Sequence, residues 1–413
     1  MAANEKLRAG IIGLGCRGNS MTDLLSERDD LEITAVCDVY DDRISMMQEK
    51  LAAKCGCRPV GFTDYHDLIA SPLTDIIFVF AAWEAHVPAV CAAMEAKKPV
   101  AFEVGGAYSV DDCRLIIKTY ESTHTPAMML ENCMYGINEM TVTEMARGGV
   151  FGEIMHLDGG YMHDLRSEIT GGEKNRHYRL RNYLSRNCEN YPTHELGPIC
   201  RLLGINEDNR FLTLSSFSTA ARGLNDYAAR TPGVPKELAD AHFMQGDVVT
   251  TILTTARGQT VKLTLDTTLA RAYSRGLTVH GTRGCFIEDN LSVYTDADNT
   301  EHDHFRWRNF WGNFDSYKEK YMPDLWREYM AEGVKRGHGG MDYLVLDAFM
   351  TSLHENQPMP VDIYDAAVMM AVSPLSALSI ERGGAPVEFP DLAGGTDTAS
   401  LPRCRGKYAL HRI

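Results

Sequence analysis

A chain of 413 residues exceeds one typical hydrophobic core, so two domains are expected. Apolar residues at 44% and charged residues at 23% exclude a disordered or fibrous class. With 41 Lys and Arg against 56 Asp and Glu, the net charge of -15 repels a phosphate backbone, so no nucleic-acid partner is expected.

The N-terminus, MAANEKLRAGIIGLG, reaches its first apolar run without a charged-then-apolar leader, and no apolar run approaches the roughly 18 residues of a membrane span. The expectation is a cytoplasmic protein with no membrane partner, with a trimmed export signal left open. Eleven scattered cysteines suit a reducing compartment better than a disulfide framework. Cys55 and Cys57 form only a CxC with no further Cys or His nearby, and no metal site is expected.

Residues 1–130 alternate strand-like apolar runs with helical patterns: LRAGIIGLG, SMTDLLSER, ITAVCDV, DDRISMMQEKLAAK, TDIIFVFA, HVPAVCAAMEA, PVAFEV. That order predicts a doubly wound α/β domain on a parallel sheet. Gly13, Gly15 and Gly18 form GxGxxG between the first strand and first helix, and Asp38 ends the next strand. Glycines permit a tight turn and close approach to a pyrophosphate, whose charge the following helix N-terminus receives. An acid at Asp38 accepts from a ribose 2′-hydroxyl and repels a 2′-phosphate, which favours NAD over NADP.

Beyond residue 130 the texture becomes hairpins: VVTTILTT, ARGQ, TVKLTLDTT, then LTVHG, TRG, CFIED. The segments MDYLVLDAFMTSLHENQ and IYDAAVMMAVSPLSALSIER read as late helices. The expected architecture is an NAD-binding Rossmann domain over 1–130 and a substrate-binding and oligomerisation α/β domain over 131–413, built on a largely antiparallel open sheet. Between them in character lies the basic run RLRNYLSR at 179–186, which composition alone assigns to a solvated face.

GIIGLGCRG, CDVYDDR, TDIIFVFAAWEAH and AFEV, with the two-domain layout, resemble the Gfo/Idh/MocA oxidoreductase superfamily over essentially the whole chain. Ordinary dehydrogenases of that group carry Glu-Lys-Pro where this chain has Glu103-Val104-Gly105, and Asp-x-Gly-x-His where it has Asn190 to His194. The departures, together with WEAH, MMLEN, GGYMHD, HYRLR, NYPTHELGP, RAYSRG and RGHGGMDY, resemble glycoside hydrolase family 109, NAD-dependent glycosidases best known for removing α-linked N-acetylgalactosamine. EVGGA departs from the EVPAA expected there.

The resemblance implies cofactor contacts at Cys16 and Arg17 in the phosphate turn, Asp38, Trp83, Glu84, Ala85 and His86, then Glu103, Val104 and Asn132. It implies sugar contacts at Tyr161, Arg179, Tyr191, Pro192, Thr193, His194 and Tyr273. His338 in RGHGGMDY is open between a substrate contact and a loop residue ahead of a helix. Glu131 is open between catalysis and capping of backbone amides. His163 and Asp164 lack a third ligand at metal-site spacing.

NAD-dependent glycosidases are exceptions to the two-carboxylate rule. Oxidation at C3 of the sugar acidifies the C2 proton, the C1 substituent is eliminated, water adds, and reduction at C3 restores the sugar. Such a cycle needs groups that exchange protons near neutral pH and donors for an enolate oxygen. His194 suits the C3 or C2 proton, with Tyr191, Tyr273 and Tyr161 as hydroxyl donors or acceptors and Arg179 as a fixed cation. Competing readings are a net sugar or cyclitol dehydrogenase and a noncatalytic NAD sensor. The resemblance also implies a homo-oligomer that covers the open sheet.

Overall fold

The structure, a computed structural model, describes residues 6–298 and 306–410. The expected absence of a leader falls partly on residues 1–5, outside the described residues. Two compact units emerge. Unit 1 comprises Met1–Asn132 with Lys335–Val368 and Leu401–Leu410; unit 2 comprises Cys133–Val334 and Met369–Ser400. This amends the expected second domain of 131–413, because two late segments pack with the N-terminal residues instead.

In unit 1, β1 (Leu7–Ile12), β2 (Leu31–Cys37), β3 (Val60–Phe62), β4 (Ile76–Val79), β5 (Val100–Phe102) and β6 (Ala127–Met129) form one parallel sheet ordered 3-2-1-4-5-6. The helices α1 (Cys16–Leu25), α2 (Asp41–Cys55), α3 (Tyr65–Ala70), α4 (Trp83–Glu95) and α5 (Val110–Thr123) connect the strands. All four residues of β4 are buried, as a strand covered on both faces requires. α5 begins at a capping box in which Ser109 Oγ accepts from Asp112 N–H while Asp112 accepts from Ser109 N–H.

Unit 2 holds β7 (Ile154–Met162), β8 (Phe211–Ser218), β9 (Val248–Thr255), β10 (Thr260–Asp266), β11 (Thr278–Gly281), β12 (Gly284–Ile287), β13 (Ser292–Thr295) and β14 (Val387–Glu388). Their order is 13-12-11-7-10-9-8-14, antiparallel except for the β7–β10 pair. β9 alternates buried and half-buried residues along its length, so one face packs on the core and the other stays open. The two expected hairpins are β9–β10 and β11–β12.

One helix, Ile363–Glu381, is long and apolar enough to cross a membrane, contrary to the expectation that no run approaches that length. It is a core helix here, with 78% of its apolar window buried inside the protein.

The turn between β1 and α1 depends on missing side chains. Gly13 has φ +92°, and a Cβ there would lie 2.5 Å from Ala81 N; a Cβ on Gly18 would lie 2.0 Å from Gly13 O. Gly18→Ala is therefore expected to destabilise unit 1 by about 1–3 kcal/mol through overpacking, read as a lowered urea midpoint. An unchanged midpoint would show that the turn can open.

Candidate functional site

The cofactor half of the site is built in unit 1. Gly15 is the N-cap of α1 and offers no side chain, and a Cβ added there would meet only Arg43 Nη1, at 3.8 Å. Gly13 and Gly18 thus close the turn, and Gly15 leaves its outer side open where the first-turn amides of α1 point. This cradle fits a pyrophosphate. Asp38, one residue past β2, is 7% exposed. Its Oδ2 accepts from Leu14 N–H at 2.8 Å and its Oδ1 from Tyr40 N–H at 3.1 Å. The acid expected to meet a ribose also fixes the phosphate turn, and its Oδ2 is further met by Arg43 Nη1 at 3.4 Å.

The segment Trp83 to His86 forms the first turn of α4. His86 is buried, with Nε2 2.9 Å from Ala81 O and Nδ1 3.2 Å from Gly105 O; burial holds its pKa below the ordinary imidazole value despite these carbonyls. In this neutral ring one nitrogen carries the proton that bonds a backbone carbonyl, so His86 braces backbone at a single acceptor. Trp83 is also buried, Glu84 is exposed and Ala85 half-buried. The Gly105-Gly106 departure has a physical reason: both have positive φ, and Cβ atoms there would lie 2.8 Å from Trp83 Nε1 and 2.5 Å from His86 Cβ.

Arg17, Glu103 and Asn132 converge. Arg17 Nε donates to Glu103 Oε1 at 2.7 Å, and its Nη1 and Nη2 donate to Asp342 at 2.7 and 2.9 Å. Asn132 Nδ2 donates to Asp342 Oδ1 at 2.8 Å. Val104 is buried beside them in sequence, and Cys16 is exposed. His338, left open between a substrate contact and a loop residue ahead of a helix, lies in that loop and faces Asp342 through Nδ1 at 2.8 Å. Asp342 was missed: RGHGGMDY was read for its histidine, and the aspartate four residues on lies one helical turn away.

The sugar half is built in unit 2. Tyr161 lies on β7 and His194 on the first turn of the helix Thr193–Leu203. A Cβ on Gly159 would come within 2.3 Å of Glu195 Cγ, so its absence lets that helix settle on β7. Met162 and Ser274 exchange backbone hydrogen bonds at 3.1 and 2.9 Å, which brings Tyr273 alongside. Tyr273 lies outside any named strand and is half exposed.

Around Tyr161, ring centroids lie at 4.3 Å for Tyr191, 5.5 Å for His194 and 6.2 Å for Tyr273. Tyr191 and His194 are 4.9 Å apart. Arg179 is buried in the helix Arg179–Ser185, not solvated as its basic run suggested. Its guanidinium sits 5.0 Å over the Tyr191 ring and 2.7 Å from Glu168 Oε1. Burial opposes its charge, and Tyr178, Glu168, Tyr161 and Tyr191 more than restore it. Pro192 and Thr193 are buried at the helix start.

His163 also belongs to the cluster. Tyr161 Oη lies 2.9 Å from His163 Nδ1, and the His163 and Tyr273 rings are 5.0 Å apart. Burial, then Arg179, pulls the His163 pKa down, while burial pushes Tyr161 up to about 12 against the pull of Arg179. Tyr161 and His163 thus share a hydrogen bond between a neutral phenol and a neutral imidazole, with the donor set by the His163 tautomer. The signal was present, since residues two apart on an extended segment share a face. Asp164 pairs with Arg166 at 2.7 Å.

Beneath this cluster, Arg275 is ion-paired with Glu139 and lies 3.6 Å from Glu288 and 3.9 Å from Glu195. One cation faces three carboxylates, two of them almost fully buried. Burial raises Glu139 to about 7 against the pull of Arg275. Arg275→Met is expected to cost about 3–5 kcal/mol by leaving buried carboxylates uncompensated, measured by urea unfolding. A loss below 1 kcal/mol would contradict that role.

Glu189, just before the YPTH segment, has no exposed surface, and burial pushes it up to about 8 against a bond from Tyr191 N–H. A carboxyl raised in the folded state gives stability that is fully present below its unfolded pKa and lost as pH climbs through the folded value. Wild-type Tm should therefore fall as pH rises from about 4.5 toward 8. Glu189→Gln should remove part of this slope, and identical Tm-pH profiles would sink the assignment.

The comparisons agree with the fold. Residues 7–130 match the family model "Oxidoreductase family, NAD-binding Rossmann fold". Myo-inositol dehydrogenase from Lactobacillus casei, in complex with NAD(H) and myo-inositol, superposes with a TM-score of 0.64 at 15% identity, covering 95% of this chain and 99% of that one. The protein is thus an enzyme of the Gfo/Idh/MocA fold with NAD as its cofactor.

Residues 135–398 match "Glycosyl hydrolase 109, C-terminal domain". A glycosyl hydrolase family 109 protein of Stenotrophomonas maltophilia is 35% identical over 95% of this chain and 90% of its own. An alpha-N-acetylgalactosaminidase of Tannerella forsythia is 34% identical over 94% and 86%. The chain belongs to glycosyl hydrolase family 109 and is an NAD-dependent glycosidase.

Proposed function

We propose that this glycosidase is redox-neutral: it oxidises its sugar at C3, eliminates the C1 substituent, adds water and re-reduces C3, acting on an α-linked galactose-type or N-acetylgalactosamine-type sugar. The observation that carries the reading is the cluster of Tyr191, His194 and Tyr273 around Tyr161, with buried Arg179 over the Tyr191 ring. Two carboxylates beside the cluster are held by arginines, Glu168 by Arg179 and Glu195 in the Arg275 network. So held, these two do not form the acid and base pair of a two-carboxylate mechanism.

NAD, when bound, supplies a reversible two-electron store at C3. The chain's own groups then handle protons. His194 takes and returns a proton at the C3 hydroxyl or C2. The Tyr161 hydroxyl shares a hydrogen bond with His163 Nδ1, which suits it to a second proton transfer. Tyr191 and Tyr273 offer hydroxyls around the ring, and Arg179 supplies fixed positive charge for a developing enolate. The sugar class is supported by the names of relatives from Tannerella forsythia and Shewanella oneidensis, both alpha-N-acetylgalactosaminidases.

The odd, scattered count of eleven cysteines supports a cytoplasmic setting. The half-exposed outer face of the unit 2 sheet, where His156, Asp158, Lys262 and His280 stand, supports a homo-oligomer that covers it.

The test is a panel of α- and β-linked nitrophenyl glycosides, with nitrophenol and NADH absorbance followed in one cuvette. Nitrophenol release without NADH accumulation is expected, fastest with α-linked N-acetylgalactosamine or galactose. Stoichiometric NADH would replace this reading with net dehydrogenation. His194→Ala should lower turnover by about 10²–10⁴-fold; near-normal turnover would remove His194 from the mechanism.

A further inference from the structure

Asp342 is a hub for which the proposed chemistry has no use. It has no exposed surface, yet it accepts four hydrogen bonds: two from Arg17, one from Asn132 and one from His338 Nδ1. Burial opposes its charge, and His338 and Arg17 hold its pKa far below the ordinary carboxylate range. Three separated parts of unit 1 are pinned to one anion: the first turn of α1, the residue after the last parallel strand, and the loop ahead of the helix Met341–His354.

That loop is strained. Gly337, His338, Gly339 and Gly340 have φ of 94°, 42°, 65° and 100°, four consecutive residues in a region that side chains rarely adopt. A Cβ on Gly337 would lie 2.8 Å from Asp342 Oδ2, so only glycine lets the backbone come down onto the carboxylate. Holding a histidine at positive φ costs of order 1–3 kcal/mol, a strain that persists where surrounding bonds over-determine it.

The loop positions a ring. His338 is 57% exposed, but its Nδ1 is bound to a carboxylate 1% exposed and lies 3.4 Å from Arg17 Nη1. With Nδ1–H donating to Asp342, the tautomer is set and Nε2 is left for an outside group. That group lies beside Arg17, in the first turn of the helix whose N-terminus faces the pyrophosphate cradle.

We propose that the segment from Gly337 to Asp342 is a clasp on the bound dinucleotide: His338 Nε2 contacts NAD, and Asp342 is the positioning residue that holds His338, Arg17 and Asn132 against it. The ligand class is the anionic pyrophosphate and its adjoining ribose. A redox-neutral enzyme regenerates its oxidised cofactor in every cycle, so a device that retains NAD between turnovers costs it nothing. The inference rests on the NAD reading of unit 1 and not on which sugar bond is broken.

The test compares wild type, His338→Ala and Asp342→Asn as purified holoenzymes. NAD retained after gel filtration is measured by cofactor release and absorbance, NAD affinity by calorimetry on stripped protein, and Tm without NAD by calorimetric scan. Loss of one hydrogen bond to a charged group should weaken NAD on the order of tenfold for His338→Ala, and the stripped protein's Tm separates this from the stability lost with the His338–Asp342 bond. Asp342→Asn should weaken NAD further, and saturating NAD should restore most of its kcat. Equal NAD retention by His338→Ala and wild type would overturn the contact. A lowered Tm in Asp342→Asn with unaltered NAD affinity would overturn the positioning role. Wild type devoid of NAD and unable to bind it would instead overturn the cofactor reading itself.

Discussion

Both units depend on places where a Cβ has no room. In unit 1, Gly18 stands against the carbonyl of Gly13, and Gly13 against the backbone of Ala81. In unit 2, Gly159 stands against Glu195. Close packing transmits such contacts directly, because neighbouring atoms have nowhere to relax. At Gly159 the consequence is chemical. The helix that begins at Thr193 can approach β7 only there, and that approach brings His194 within ring contact of Tyr161. A side chain at 159 would move the proposed proton-transfer group, not merely loosen a core.

The second constraint is the placement of buried charge. Arg17, Arg179 and Arg275 each sit beside carboxylates or phenols that restore a charge burial disfavours. Unpaired, any of them would be expensive. Arg17 holds the phosphate turn, Arg179 supports the tyrosine cluster, and Arg275 ties the Tyr273 segment to the helix carrying His194. Glu168, Glu139 and Glu195 are thereby engaged as counter-ions of these arginines. A fold so arranged keeps positive charge in its sugar half, which suits an enolate better than an oxocarbenium ion.

Much of this was legible in the sequence where periodicity or a local motif carried it. GxGxxG between a strand and a helix, the alternation through residue 130 and the two hairpins appear as expected, and YPTH places Tyr191 and His194 together on its own. What escaped was long-range pairing. Asp342 meets Arg17 across 325 positions, and no local pattern announces that contact. Burial of Arg179 was equally hidden, since a basic run on a short helix reads as solvated until the packing partners are known. The late segments that join unit 1 were hidden for the same reason: a helix pattern states that a face must be covered, but not by which strands.

Glu189 shows how the two levels meet. It lies inside the motif that identifies the sugar segment, yet its role is set by packing. Ser376 Oγ accepts from its N–H, Ser373 Oγ donates to its carbonyl, and the carboxyl is left to Tyr191 N–H in a fully buried setting. A carboxyl so placed is more stable protonated than ionised. Its neutral form lets the backbone of the YPTH segment rest on the helix Ile363–Glu381 without a buried charge beneath Tyr191. Ionisation would put an uncompensated anion under the cluster, so the protonation state of a residue that touches no substrate limits the pH range over which Tyr191 and His194 keep their places.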